Sequence, residues 1–261
     1  MDVLNPSPAV ALPQTMWLTY KVIMKMPGLD QDKVLSLVVP DAMRAGTSGN
    51  GAHATQALDA LREFRLVISD QFGGLSVEAV LDAPEAFLRV LRRRLVVPPS
   101  SIAPDFVGAP DLRSGLVWLL RQSPAVPLHW GNVQTMIPKG PFVNDTRWNT
   151  FRLWSQSLGF SRPSLASLAK AADQKATIVP DPTDAVLDAL LHPDGTRLPA
   201  GESLPIGRLL DFLREELPVL PGSPSAIYEG MDSDDRALHV LGLALSSAEQ
   251  RDVLGMSYQS D

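Results

Sequence analysis

The sequence predicts a mainly α fold with small β-wings, built as tandem winged helix-turn-helix modules. Three observations predict it. Residues 16–77 read as helix, helix, loop, helix, hairpin; the apolar spacing of the third of these helices recurs within 144–163; and a proline- and serine-rich stretch, VVPPSSIAPDFVGAP at 96–110, separates the two passes.

The first helix spans Met16 to Met26, where Trp17, Tyr20, Val22 and Met24 are mixed with Lys21 and Lys25, and Pro27-Gly28 ends it. Asp30 is placed to cap a second helix, Gln31 to Val39, which Pro40 stops. The stretch GAHATQALDALREFRLVISDQFGGLSV, 51–77, supplies a third helix and the wing. Ala54, Ala57, Leu58, Leu61 and Phe64 recur at three- and four-residue spacing and so line one stripe. Leu66-Val67-Ile68 favours β structure, and Gly73-Gly74 turns the chain into Leu75-Ser76-Val77. A further helix is expected from Val77 to Leu95, divided at Pro84. These elements make a first module, 1–95, and the linker 96–110 follows.

The second module, 111–176, opens with Asp111 as the cap of a helix holding Leu112, Leu116, Trp118, Leu119 and Leu120. NDTRWNTFRLWSQSLGFSRP then repeats the third-helix pattern: Trp148, Phe151, Trp154 or Ser155, and Leu158 resemble Leu58, Leu61 and Phe64 in spacing, and Gly159-Phe160-Ser161 follows as a short wing. Trp148 and Trp154 at that spacing read as core side chains rather than base-stacking platforms. In the third module, 177–261, DPTDAVLDALL, ESLPIGRLLDFLREELPVL and DSDDRALHVLGLALSSAEQ give three helices, with RDVLGMSYQS as a closing strand.

With 261 residues and 45% apolar content, the chain suits two or three small folded domains. The absence of cysteine excludes disulfides, thiolate metal sites and cysteine nucleophiles. His53, His129, His192 and His239 are scattered over different modules, without ligand spacing. There is no phosphate-cradling glycine loop followed by Lys-Ser/Thr, no nucleophile elbow and no zinc-protease motif. No catalytic residue, metal ligand or cofactor is therefore expected. Asp30, Asp32 and Asp232 to Asp235 fit helix starts, whereas Glu215-Glu216 lies near a helix end, where it meets a partner or solvent. No apolar run approaches the roughly 18 residues of a spanning helix. MDVLNPSPAVALPQ lacks a basic leader pattern, so the expected location is the cytoplasm, away from membranes.

A net charge of -6 is a poor match for gripping polyphosphate, so any basic surface must be local. The densest positive run is RVLRRRL, with Arg89, Arg92, Arg93 and Arg94; it reads equally as a phosphate contact or as a helix end favoured by the dipole. In the first module Arg44, Gln56 and Arg62 are the candidates for a recognition helix and its leading turn, opposed by Asp59 and Glu63. The second module offers Arg147, Asn149 and Arg152, beside Asn144, Thr146 and Thr150, with Asp145 as the one acid.

The N-terminal VLNP motif, the tandem pattern, and the combination of DPTDAVLDALL, LPIGRLLDFLREELPVLPG and ALHVLGLALSS together resemble the DpdG family over most of the chain. Members of that family are encoded in bacterial gene clusters that insert 7-deazapurines into DNA and use them for restriction of foreign DNA. The resemblance implies an accessory component of a prokaryotic anti-phage defence system working with other proteins; joined to the lack of catalytic motifs, it gives the expectation of a non-enzymatic, DNA-associated adaptor or scaffold subunit. Its expected partners are DNA, through backbone contacts, and other subunits of a defence complex, with a homodimer as an open arrangement. Two alternatives stand beside it: a dimeric winged-helix transcriptional regulator, and a structural subunit with no DNA contact.

Overall fold

In the computed structural model, residues 2–5, 11–40, 51–96, 108–136, 142–164, 177–224, 226 and 235–257 are described. Among them lie ten helices and two small antiparallel sheets of two strands each, so the protein is mainly helical. Most of the 96–110 linker falls outside the described residues.

Helix α1, Pro13–Lys25, starts earlier than its apolar spacing predicts, because Pro13 fits a first turn whose N–H groups need no helical partner. Its inward face is Met16, Tyr20 and Ile23. Helix α2, Gln31–Val38, is capped as expected, with the Asp30 carboxylate accepting the Lys33 N–H at 2.9 Å. Helix α3, Ala52–Glu63, buries Ala54, Ala57, Leu58 and Leu61 against α1. Strands β1, Val67–Ser69, and β2, Leu75–Val77, pair with Ile68 opposite Ser76. The turn between them is held by the Asp70 carboxylate, which accepts the N–H groups of Phe72 and Gly74, both at 2.8 Å. Helix α4 is Pro84–Val96. It does not begin at Val77 as the sequence predicts, because Val77 is taken up in the hairpin opposite Val67 and Pro84 sits in the first turn.

A second series follows. Helices α5, Pro110–Leu119, α6, Trp130–Met136, and α7, Asp145–Ser157, precede strands β3, Ser161–Pro163, and β4, Ile178–Pro180. Asp111 is not the cap of α5; that place belongs to Ala109. Its partly buried carboxylate instead accepts the N–H groups of Val3 at 3.2 Å and Leu4 at 2.7 Å, fastening that segment to the start of α5. Burial raises its pKa above the ordinary carboxylate value, against the lowering effect of those hydrogen bonds.

The two series share details that residue letters hide. In the first, the turn between α1 and α2 joins the hairpin: Gly28 N–H donates to Leu75 O at 2.8 Å, and Leu75 N–H to Leu29 O at 2.9 Å. The turn between α5 and α6 does the same in the second, where Leu128 and Ile178 exchange both backbone hydrogen bonds at 2.8 and 3.0 Å. Helices α3 and α7 also end alike. Arg65 N–H reaches Arg62 O and Leu66 N–H reaches Leu61 O, both at 2.9 Å; Gly159 N–H reaches Gln156 O at 3.0 Å and Phe160 N–H reaches Ser155 O at 2.9 Å. Each is a Schellman turn, and its left-handed residue is Arg65 at φ 55° in one case and Gly159 at φ 80° in the other.

The C-terminal third holds α8, Thr183–Leu191, α9, Ile206–Glu216, and α10, Asp235–Gln250, with α8 and α10 packed together. No hairpin follows α10 among the described residues. The expected closing strand is absent from 251–257, because Val253 N–H folds back to Ala248 O at 3.0 Å while Asp252 takes φ 57°. One contiguous buried cluster runs from Val3 to Leu245 through all three parts. Trp148 and Trp154 lie within it, as their spacing predicts, and Trp148 forms an aromatic group with Trp118, Phe142 and Phe151.

Candidate nucleic-acid interface

The arginine run of α4 turns inward. Arg89 forks onto Asp188 of α8, with Nε and a terminal nitrogen 2.8 and 2.7 Å from Oδ1. Arg92 is only 6% exposed; it pairs with the same Asp188 and donates to Leu158 O, at the end of α7, at 3.1 Å. Arg93 meets Asp194 at 3.0 Å, Glu216 at 3.6 Å and the His192 carbonyl. Arg94 pairs with Glu78 at 2.9 Å. Burial opposes ionisation of both members of the central pair. It lowers the pKa of Arg92 even beside Asp188, whereas for Asp188 the two guanidinium groups outweigh it and leave the carboxyl below its ordinary value. Arg92 is thus withheld from any external phosphate, and its neighbours already hold carboxylates.

Arg62 of α3 also has internal partners. It donates to Gln31 Oε1 at 2.9 Å and stands 3.6 Å from Asp59, tying α3 to α2. Gln56 is half-buried on the outward side of α3, on which Asp59 and Glu63 are exposed. Arg44 lies outside the described residues.

Helix α7 differs. Its cap, Asn144, accepts the Arg147 N–H at 2.9 Å. Arg152 donates to Asn149 Oδ1 at 3.1 Å and makes no ion pair among the described residues; its Nε is buried without a hydrogen-bond partner. Partial burial lowers its pKa, since removal from water disfavours the cation. The outward face of α7 is Asp145, Asn149, Leu153 and Gln156, with Arg152 at its edge and Asp145 in the first turn. Arg147 does not share that face, because five residues turn a helix through about 140° relative to Arg152. Thr150 is 5% exposed and bonds to the Thr146 carbonyl at 3.1 Å, so it belongs to the core side.

The sequence model of the DpdG-like family matches residues 1–261. The chain belongs to the DpdG-like family. No curated protein and no solved structure matches it. Among the described residues of this DpdG-like chain, no helix is long and apolar enough to cross a membrane, and no group of three or more His, Asp or Glu is arranged to hold a metal.

Sequence reasoning missed the acids that receive the α4 arginines. Asp188 and Asp194 lie about a hundred positions downstream and read locally as ordinary helix and loop residues; Glu216 lies further on. Glu216 was the most visible signal, being an acid at an unfavourable helix end. It is stabilised there by Arg93 and by the N–H groups of Asp194 and Gly195, at 2.9 to 3.0 Å.

Proposed function

We propose that this DpdG-like chain is a non-enzymatic, DNA-associated adaptor of the Dpd system, built on two winged-helix modules of which the second faces DNA. Family membership supports the system. Support for the winged-helix reading is the repeated order of three helices and a hairpin, each hairpin joined by a residue from the first inter-helix turn. The single observation that carries the DNA reading is the outward face of α7, where Arg152 and Asn149 stand together without a carboxylate partner. Arg152 matches phosphate chemistry, and Asn149 and Gln156 supply neutral donors beside it. The acids on the outward side of α3 weigh against a first module that reads an operator. The remaining surfaces, including the C-terminal third, are left for other subunits.

A second reading has its own support. The net charge of -6 and the internal use of the α4 arginines favour a structural subunit without nucleic-acid contact. Binding of the whole chain to unrelated duplex DNA at low and near-physiological salt separates the two. The adaptor reading expects salt-sensitive binding that Arg152→Ala weakens on every sequence alike. Absence of binding at low salt overturns it in favour of the structural subunit.

A further inference from the structure

We propose that α1 and α7 form one continuous contact for the DNA backbone, crossing from the first module to the second. This rests on the reading of α7 as the DNA-facing helix and extends it to residues that no motif marks. On α1, the exposed side chains Gln14, Leu18, Lys21 and Lys25 follow one another at spacings of four, three and four. That spacing sets them in a single line along the helix. The line meets α7 at a defined seam. Gln14 Nε2 donates to Ser157 Oγ at 3.2 Å, and beneath it Trp154 Nε1 donates to Ala11 O at 3.1 Å. One helical turn from the seam stand Leu18 on one side and Leu153 on the other, 48% and 41% exposed. They offer apolar contact of the kind a sugar or thymine methyl accepts.

The charge along this line matches a polyanion. Lys21 has its ammonium 5.5 Å from the Trp17 ring centroid and no ion pair among the described residues. Lys25 pairs with Asp82 at 3.3 Å, but both side chains are mostly exposed, at 62% and 70%. Solvent screening makes such a pair weak, so a phosphate exchanges for it readily. On α7 the line passes from Ser157 through the exposed Leu153 to the neutral donors Asn149 and Gln156, and Arg152, about 140° round the helix from Ser157, stands at the far edge of that face. Asp82 stands beside Lys25, and Asp145 lies on the outward face of α7 at the end away from the seam. In a chain of net charge -6, these cations contrast with the α4 arginines, which are held by internal carboxylates.

The test is a fluorescence-anisotropy titration of the full chain with a duplex of about two helical turns, between about 50 and about 200 mM salt. The variant is Lys21→Gln with Lys25→Gln, two exposed positions whose neutral replacements leave the core untouched; Arg208→Gln, exposed on α9, is the control. Each phosphate contact contributes roughly 0.9 to the slope of log K against log salt, so the double variant should flatten it by about 2 and weaken binding at low salt. The control should match the parent chain. A double variant with the parental slope, in a protein that still loses affinity on Arg152→Ala, overturns the α1 contact and leaves the adaptor reading standing. A parent chain that fails to bind overturns both.

Discussion

Helices α3 and α7 occupy equivalent places in two copies of one local plan, and both close with a Schellman turn before a short strand. Outward, they differ. The exposed side of α3 carries Asp59 and Glu63, and its arginine is drawn back onto Gln31 and Asp59. That of α7 carries Asn149, Leu153 and Gln156, with one acid, Asp145, in its first turn and Arg152 unpaired by any described acid. Their ends differ too. The carbonyl of Leu158, which caps the C-terminal end of α7, receives the buried Arg92, which Asp188 neutralises. A repeated scaffold fixes where a helix lies, and the residues on its solvent side decide what it meets. On the reading proposed above, this difference leaves the first module to protein packing and turns the second toward the polyanion.

The largest expected effect breaks the brace behind α7. Asp188→Ala leaves Arg92 buried without its counter-charge, and loss of one member of such a pair costs about 3 to 5 kcal/mol. Urea unfolding should show a strongly lowered midpoint; a change within experimental error would mean that the ion cluster contributes nothing. The pH dependence has a definite sign. Because Asp188 titrates lower in the folded chain than in the unfolded one, its contribution is complete above the ordinary carboxylate range. It is lost as pH falls through the folded value, so Asp188→Asn should flatten the acid limb of the stability curve.

A smaller effect sharpens the comparison at the helix ends. Gly159→Ala places a side chain at φ 80°, where its Cβ meets the Ala185 backbone nitrogen at 2.9 Å. The backbone term alone is about 1 to 2 kcal/mol, and the contact adds to it. The matched change in α3 has the opposite sign. Arg65→Gly relieves a non-glycine residue at φ 55°, and a net gain under about 1 kcal/mol is expected, because glycine also loosens the unfolded chain. Thermal or urea unfolding of the pair decides it; equal signs would show that the two turns are not equivalent.

Much of this scaffold was legible because its signals are local. Asp30 and Asn144 announce helix starts, and Trp148, Phe151 and Trp154 reveal an inward face by spacing alone. Failures came where a distant partner decides. Val77 looks helical until Val67 is set opposite it, and Asp111 looks like a cap until Val3 and Leu4 arrive. RDVLGMSYQS has strand composition, yet no strand partner is present among the described residues. The α4 arginines were the most conspicuous feature of the sequence, but nothing within their own helix announces Asp188 or Asp194. On the candidate interface, spacing placed Asn149 on the solvent side of α7, whereas the seam between α1 and α7 depends on Gln14 and Ser157, which are far apart in sequence.

Hydrogen–deuterium exchange of the full chain, with and without saturating duplex DNA at low salt, tests the central claim most directly. The account predicts slowed exchange in peptides covering α7 and α1, with α3 and α4 unchanged. Slowed exchange confined to α3 and α4, with α7 unaffected, would contradict it.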